Sequence, residues 1–188
     1  MIYIEDKIFE KLDFTNNLLK KGEYENCRFI NCNFLESDIS NINFLDCEFV
    51  DCDLSMVKLI NTTFRNVKFK SCKMLGLYFD HCNKTGIDIN FDNCIINHSS
   101  FYQTNLKNIV FKNSTLHEID FTECNLTNSK FDNCDLKLTT FFNTIIEKAD
   151  FRTSYNYSID PNLNKIKKAR FSLNGIIGLL DKYDIEIS

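Results

Sequence analysis

Residues 121–136 read Phe121-Thr122-Glu123-Cys124-Asn125-Leu126-Thr127-Asn128-Ser129-Lys130-Phe131-Asp132-Asn133-Cys134-Asp135-Leu136. A large apolar residue returns at every fifth position, as Phe121, Leu126, Phe131 and Leu136. A small residue stands two places ahead of each later beat, as Cys124, Ser129 and Cys134. A period of five belongs neither to an α-helix, at 3.6, nor to a flat strand, at 2.0. It requires a chain that winds into stacked coils, each with side chains at fixed intervals pointing to a common axis.

The same clock runs outward in both directions. Phe14, Phe29, Phe34, Phe44, Phe49, Phe64, Phe69 and Phe79 share one register. Phe91, Phe101, Phe111, Phe121, Phe131, Phe141 and Phe151 share a second, displaced by two residues. Leu, Ile, Met or Tyr fills most beats between them. The nine cysteines fall on the small position, which Ser, Thr, Val, Ile and Ala also occupy, and the other three residues of each pentad are mostly polar. Two inward side chains and three outward ones per pentad, with about a quarter turn each, close a square coil in roughly twenty residues.

Residues twenty apart should then stack. Phe91, Phe111 and Phe131 form one column and Phe101, Phe121 and Phe141 the opposite one. Leu106, Leu126 and Ile146 form a third, and Ile96, Leu116 and Leu136 the fourth. The chain is read as one all-β solenoid domain over 1–188, with repeats from about 14 to 151. No Pro- or Gly-rich linker divides it: there are a single proline and five glycines.

Nine cysteines invite a disulfide or zinc reading. Their position on the small inward beat makes them compact core hydrophobes instead, and Cys32, Cys52 and Cys72 should lie above one another. The histidines, His81, His98 and His117, fall on outward beats. No phosphate loop, nucleophile elbow or metalloprotease motif is present, so no enzyme and no cofactor is expected. No N-terminal stretch resembles a signal peptide and no run is long enough to span a bilayer, which makes a cytoplasmic location, with no membrane partner, the default expectation.

Two segments break the clock. Between 80 and 90 the register slips, and Lys84 stands where an inward residue belongs, as a bulge or a kink would require. Beyond Phe151, Tyr155 to Pro161 reads as a turn and Lys167 to Phe171 as a last pentad. Asn174 is placed to cap a short α-helix through Tyr183, with Ile176, Ile177, Leu179, Leu180 and Tyr183 sealing the end of the core or meeting a second copy. Residues 152–188 are thus the cap and dimerisation segment.

Runs such as Cys52-Asp53-Leu54-Ser55, Cys124-Asn125-Leu126-Thr127, Cys134-Asp135-Leu136-Lys137 and Ala149-Asp150-Phe151-Arg152 resemble the pentapeptide-repeat family. That resemblance implies a right-handed quadrilateral β-helix. Within the family the chain is similar to the Qnr/MfpA group, through Asp6-Lys7-Ile8-Phe9 leading into Asp13-Phe14, Gly86-Ile87-Asp88-Ile89 at mid-chain, and Tyr157-Ser158-Ile159-Asp160-Pro161 before the terminal helix. The likeness implies a non-catalytic homodimer, joined through its C-terminal regions, that mimics DNA. It would bind a protein partner, DNA gyrase or topoisomerase IV, and modulate quinolone action. The projecting loops of many Qnr members are missing here, since Phe49 to Leu59 and Leu106 to Leu116 run in strict pentads.

Charge supports mimicry only in part, because the formal net charge is −4. Acids concentrate at Glu36, Asp38, Asp46, Glu48, Asp51 and Asp53 and return at Glu118 and Asp120; these eight are the candidate partner surface. The coil between them carries Lys58, Arg65, Lys68, Lys70 and Lys73. A duplex has a charge every ~1.7 Å of axis, and this mixed pattern has no such stripe. The wider reading is a protein-binding solenoid of unspecified partner. Direct nucleic-acid binding, through the basic coil and Lys165, Lys167, Lys168 and Arg170, is the third and least favoured reading.

Overall fold

The computed structural model describes residues 2–186, which wind into a four-walled parallel β-solenoid. Neighbouring coils pair in parallel with partners twenty residues apart, as in Phe29↔Phe49 and Phe111↔Phe131. Each wall is named here by one inward residue. The Leu116 wall carries Phe14, Phe34, Leu54, Met74, Ile96, Leu116 and Leu136. The Phe121 wall carries Leu19, Ile39, Leu59, Phe79, Phe101, Phe121 and Phe141. The Leu126 wall carries Tyr24, Phe44, Phe64, Leu106, Leu126 and Ile146, and the Phe131 wall runs from Phe9 to Phe171. Those from Phe9 to Phe151 are all buried, and Phe171 packs against them partly covered.

Rings within a wall stack nearly face to face. Phe91, Phe111 and Phe131 follow one another at 5.1 Å with planes 4° and 13° apart. Rings on opposite walls meet edge to face, as Phe101 and Phe111 do at 6.1 Å and 81°. Both arrangements suit the ring quadrupole and add ~0.5–1.5 kcal/mol per pair beyond area burial. The bore is therefore packed with side chains from end to end.

Backbone amides are satisfied along the axis. Phe121 N–H donates to Thr140 on the following coil at 3.0 Å, while Asp120 N–H donates to Ser99 on the preceding one at 3.0 Å. Most pentads turn their corner through a residue two places past the large beat, in the left-handed region with φ between 49° and 65°. Twelve of the twenty-seven non-glycine residues with positive φ are Asn, the side chain that tolerates this conformation best after glycine. The small inward beat has its own job. Cys52 Sγ lies 3.3 Å from the carbonyl oxygens of Phe29 and Val50, and Thr144 Oγ1 donates to Phe121 O at 2.8 Å. A thiol or hydroxyl here binds backbone inside the wall, which is why Cys, Ser and Thr interchange.

Stacking reaches beyond the 14–151 span expected for the repeats. Phe9 stacks on Phe29 at 4.7 Å and Phe171 on Phe151 at 5.4 Å. At 80–90 the chain carries two extra residues and absorbs them locally. Phe69 pairs with Phe91, twenty-two on, and Phe79 still stacks on Phe101 at 4.4 Å. The excess sits at the corner after a single 3₁₀ turn, Phe79–His81, where Lys84 is exposed. There residues 82–85 make no backbone hydrogen bond to 103–106, and a cleft of about 210 Å³ opens beside Asp80, Cys82, Lys84 and Gln103.

The expected C-terminal α-helix is a correction. The segment forms two 3₁₀ turns, Asn174–Leu179 and Asp181–Tyr183, and Asn174 lies inside the first instead of capping it. Ser172 Oγ accepts the Gly175 N–H at 3.0 Å. In a 3₁₀ helix residues three apart share a ridge, so Gly175 and Gly178 face the core together. A Cβ on Gly178 would stand 2.1 Å from the Tyr157 carbonyl oxygen. Only Leu179 of the five expected sealing residues packs on the core; Leu180 is half-buried, and Ile176, Ile177 and Tyr183 are exposed.

Candidate functional surface

The pentad places the eight candidate acids on three different corners. Glu36, Asp38, Glu118 and Asp120 share the corner between the Leu116 and Phe121 walls. Asp46 and Glu48 lie between the Leu126 and Phe131 walls, and Asp51 and Asp53 between the Phe131 and Leu116 walls. The first four are joined into one strip, interrupted by Met56, Gly76 and His98 on one column and by Lys58, Tyr78 and Ser100 on the other. The remaining four are turned away from it.

Several of these carboxylates are structurally employed. Asp38, Asp53 and Asp120 accept the backbone N–H two residues on, from Ser40, Ser55 and Thr122, at 2.8, 2.9 and 2.8 Å. That bond closes a local turn and explains why Asp or Asn precedes the large beat. The hydrogen bonds from Ser40 hold the Asp38 carboxyl below the usual carboxylate range. Two acids also meet bases one coil away: Glu48 with Arg28 at 2.9 Å and Asp53 with Lys73 at 3.2 Å. Exposed pairs of this kind contribute ~0–1 kcal/mol. Their main effect is to neutralise the surface locally, and Asp53 reaches the basic coil through Lys73.

The nine cysteines are free and buried. Cys94 extends the expected column of Cys32, Cys52 and Cys72, each thiol reaching backbone carbonyls of its own and the preceding coil. Burial pushes Cys47, Cys124 and Cys134 up to about 12, so these thiols stay protonated. His98 and His117 are backbone neighbours, yet their rings turn to different acids. His98 Nδ1 lies 3.3 Å from Glu118 and His117 Nε2 2.8 Å from Asp135. Among the described residues, no three ligating side chains converge on a metal position. No helix among them is long and apolar enough to cross a membrane.

A feature the pentad arithmetic passed over is where outward apolar residues fall. From Phe14 to Tyr155 every exposed large hydrophobic side chain lies on the Leu116 and Phe121 walls or their shared corner. The Leu126 and Phe131 walls expose none in that span. The signal was present in the sequence as Ile60, Tyr78 and Tyr102, but it emerges only once columns are assigned to walls.

Comparison with known proteins agrees with this architecture. The family model described as a pentapeptide repeat region matches residues 23–90 and 78–151, well over half of the chain. Among solved structures the chain is similar to a trypsin-treated, singly substituted form of QnrB1, described as a plasmid-mediated fluoroquinolone resistance protein. The identity is 13%, over 99% of this chain and 100% of that one, with a TM-score of 0.65. Full-length QnrB1 gives 14% identity over 97% of this chain and 100% of that chain, with a TM-score of 0.63. At such identities the likeness establishes the fold. No functionally curated protein matches the sequence.

Proposed function

This chain belongs to the pentapeptide-repeat family, and on that premise we propose that it is a non-catalytic, cytoplasmic, protein-binding solenoid. The observation that carries this reading is the filled bore. Side chains such as Phe29, Phe44, Phe111 and Phe121 are wholly buried and stacked, which leaves the outer walls as the place where the molecule can act. A long, regular surface with fixed side-chain spacing suits recognition of an extended partner face.

A second reading is favoured by one specific observation, the overlap with QnrB1 along essentially the whole of both chains. Here the partner is DNA gyrase or topoisomerase IV and the surface stands in for duplex DNA. The exposed apolar end formed by Leu173, Ile176, Ile177 and Tyr183 supports pairing of two copies through their C-terminal segments. Coils spaced about 4.8 Å apart give such a pair the length of a short duplex.

Gyrase supercoiling, titrated with this protein in the presence and absence of a fluoroquinolone, tests the second reading. Inhibition, or relief of drug-stabilised cleavage, at micromolar protein supports it; neither effect removes it. Light scattering of the wild type and of Ile177→Glu tests the dimer, which the charge should dissociate. Retention on heparin at low salt would instead point to the basic coil and to nucleic acid.

A further inference from the structure

The Phe121 wall and the corner it shares with the Leu116 wall carry an apolar centre with an acid pair at each end of that corner. Met56 and Tyr78 at the corner, and Ile60 and Tyr102 on the adjoining Phe121 wall, are exposed on three consecutive coils. Gly76 turns its corner at φ 65° with no side chain, and the Met56 thioether leans across it; a Cβ at that position would lie 2.5 Å from the sulfur. The Tyr78 ring stacks on His81 at 5.2 Å and 15°, which holds it as a fixed platform. Met and Tyr are side chains that interface centres favour. Along the axis, Glu36 and Asp38 bound this centre on one side and Glu118 and Asp120 on the other, four coils apart, about 19 Å at the usual strand spacing.

We infer that this strip is a docking surface for a basic amphipathic helix of a partner protein, one with apolar anchors between two cationic clusters. Charge complementarity selects the occupant. A nucleic acid would bring phosphates against four carboxylates. A second copy of this chain, packed about any two-fold axis on this face, would set acid pairs against acid pairs, and like charges across an interface oppose it. Lys21 and Lys58 both act on Asp38 and His98 meets Glu118 at 3.3 Å, whereas Glu36 and Asp120 form no ion pair among the described residues.

Helical form follows from the backbone. Coil-to-coil hydrogen bonds run along the axis here, as from Glu36 to Ser55, Gly76 to Asn97 and His98 to His117. The wall therefore offers no free edge to which an extended peptide could add as a strand. An extended peptide would leave its own amides unpaired over the apolar centre, whereas a helix satisfies them internally. At 1.5 Å per residue the two acid pairs match basic clusters about thirteen residues apart.

This rests on the protein-binding reading and sharpens it to one surface and one partner chemistry. The test uses the full chain and a fluorescein-labelled synthetic helical peptide of about seventeen residues, with Lys-Arg pairs about thirteen positions apart and Leu on the face between them. Anisotropy should report saturable binding, weakened about tenfold or more by Tyr78→Ser with Tyr102→Ser, as loss of central anchors does. Asp38→Lys with Asp120→Lys should lose the basic peptide and gain the same peptide carrying Glu in place of its Lys-Arg pairs. Glu36→Lys with Glu118→Lys, which leaves the turn hydrogen bonds intact, provides a second charge swap should the first fail to fold.

Absence of saturable binding overturns the inference, as does binding that survives all of these changes. Survival would mean that the solenoid binds peptides through another wall, which leaves the broader reading standing. The gyrase assay judges the DNA-mimic reading independently of this surface.

Discussion

The coil around Phe121 and the closing segment 172–183 are built from similar apolar residues and treat them in opposite ways. Phe121 lies between Phe101 at 5.3 Å and Phe141 at 5.5 Å and is fully buried. Leu173, two residues past the last stacked ring, is 88% exposed. A coil interior has a neighbour on both axial sides, and its amides bond both ways along the axis. The closing segment has a neighbour on one side only. Gly175 and Gly178 give it a flat ridge against Tyr157, which turns Ile176 and Ile177 outward. In a solenoid, burial thus follows from position in the stack more than from hydrophobicity.

The largest expected effect breaks the stack itself. Phe121→Ala leaves a cavity between two rings and should cost about 3–5 kcal/mol. Asp120→Ala, adjacent in sequence but outward, loses one turn hydrogen bond and should cost about 1 kcal/mol or less. Urea midpoints in the reverse order would mean that the inward beat is misassigned.

Next comes the contact between cap and coil. Gly178→Ala forces the 3₁₀ ridge off the Tyr157 backbone and should cost about 1–3 kcal/mol by overpacking. Hydrogen exchange would locate that loss in the cap and leave the Phe121 coil protected. Uniform loss across both regions would make the cap and coils one cooperative unit and remove the contrast.

Asp150 joins the end coils. Its nearly buried carboxylate meets Arg152 and Arg170, each at 2.9 Å, and the bonds from Arg152 lead in holding it below the usual carboxylate range. Because the native pKa is depressed, this stabilisation is full above the unfolded value of about 3.9 and disappears as pH falls through the native value. Asp150→Asn should cost about 1–2 kcal/mol at neutral pH, since the arginines themselves are exposed. The gap between wild type and variant should close in acid; a gap independent of pH would assign the effect to packing.

The smallest change is a gain. Leu138 is exposed and turns its corner at φ 59°, where a non-glycine side chain is strained by about 1–2 kcal/mol. Leu138→Asn should raise stability by roughly 1 kcal/mol, within what relief of that strain allows. No rise in the thermal midpoint would mean that Leu138 has a contact outweighing its backbone strain.

The inward and outward sides of nearly every coil were legible from the five-residue spacing, because two side chains per pentad point inward whatever the polar residues between them are. Cysteine burial was legible for the same reason. Corner chemistry was written in the sequence too, as the frequent Asn two places past the large beat, although the spacing of the apolar residues does not register it. The ends were harder to read. Phe9 and Phe171 lie where the pattern thins, and a terminal ring shows its role only when the ring it stacks on is in place.

Sequence by itself determined the solenoid, its four columns and its filled bore, since each depends on side chains a fixed number of residues apart. Tertiary structure alone decided which outward residues become neighbours. Residues twenty or twenty-two apart meet across coils, and the two-residue slip at 80–90 determines how those before it align with those after it. Tyr78 therefore comes beside Ser100, and Asp38 falls on the same corner as Asp120. Tertiary structure likewise fixed the cap as 3₁₀, because the close approach of Gly175 and Gly178 to Tyr157 prevails over the helical spacing of the isoleucines.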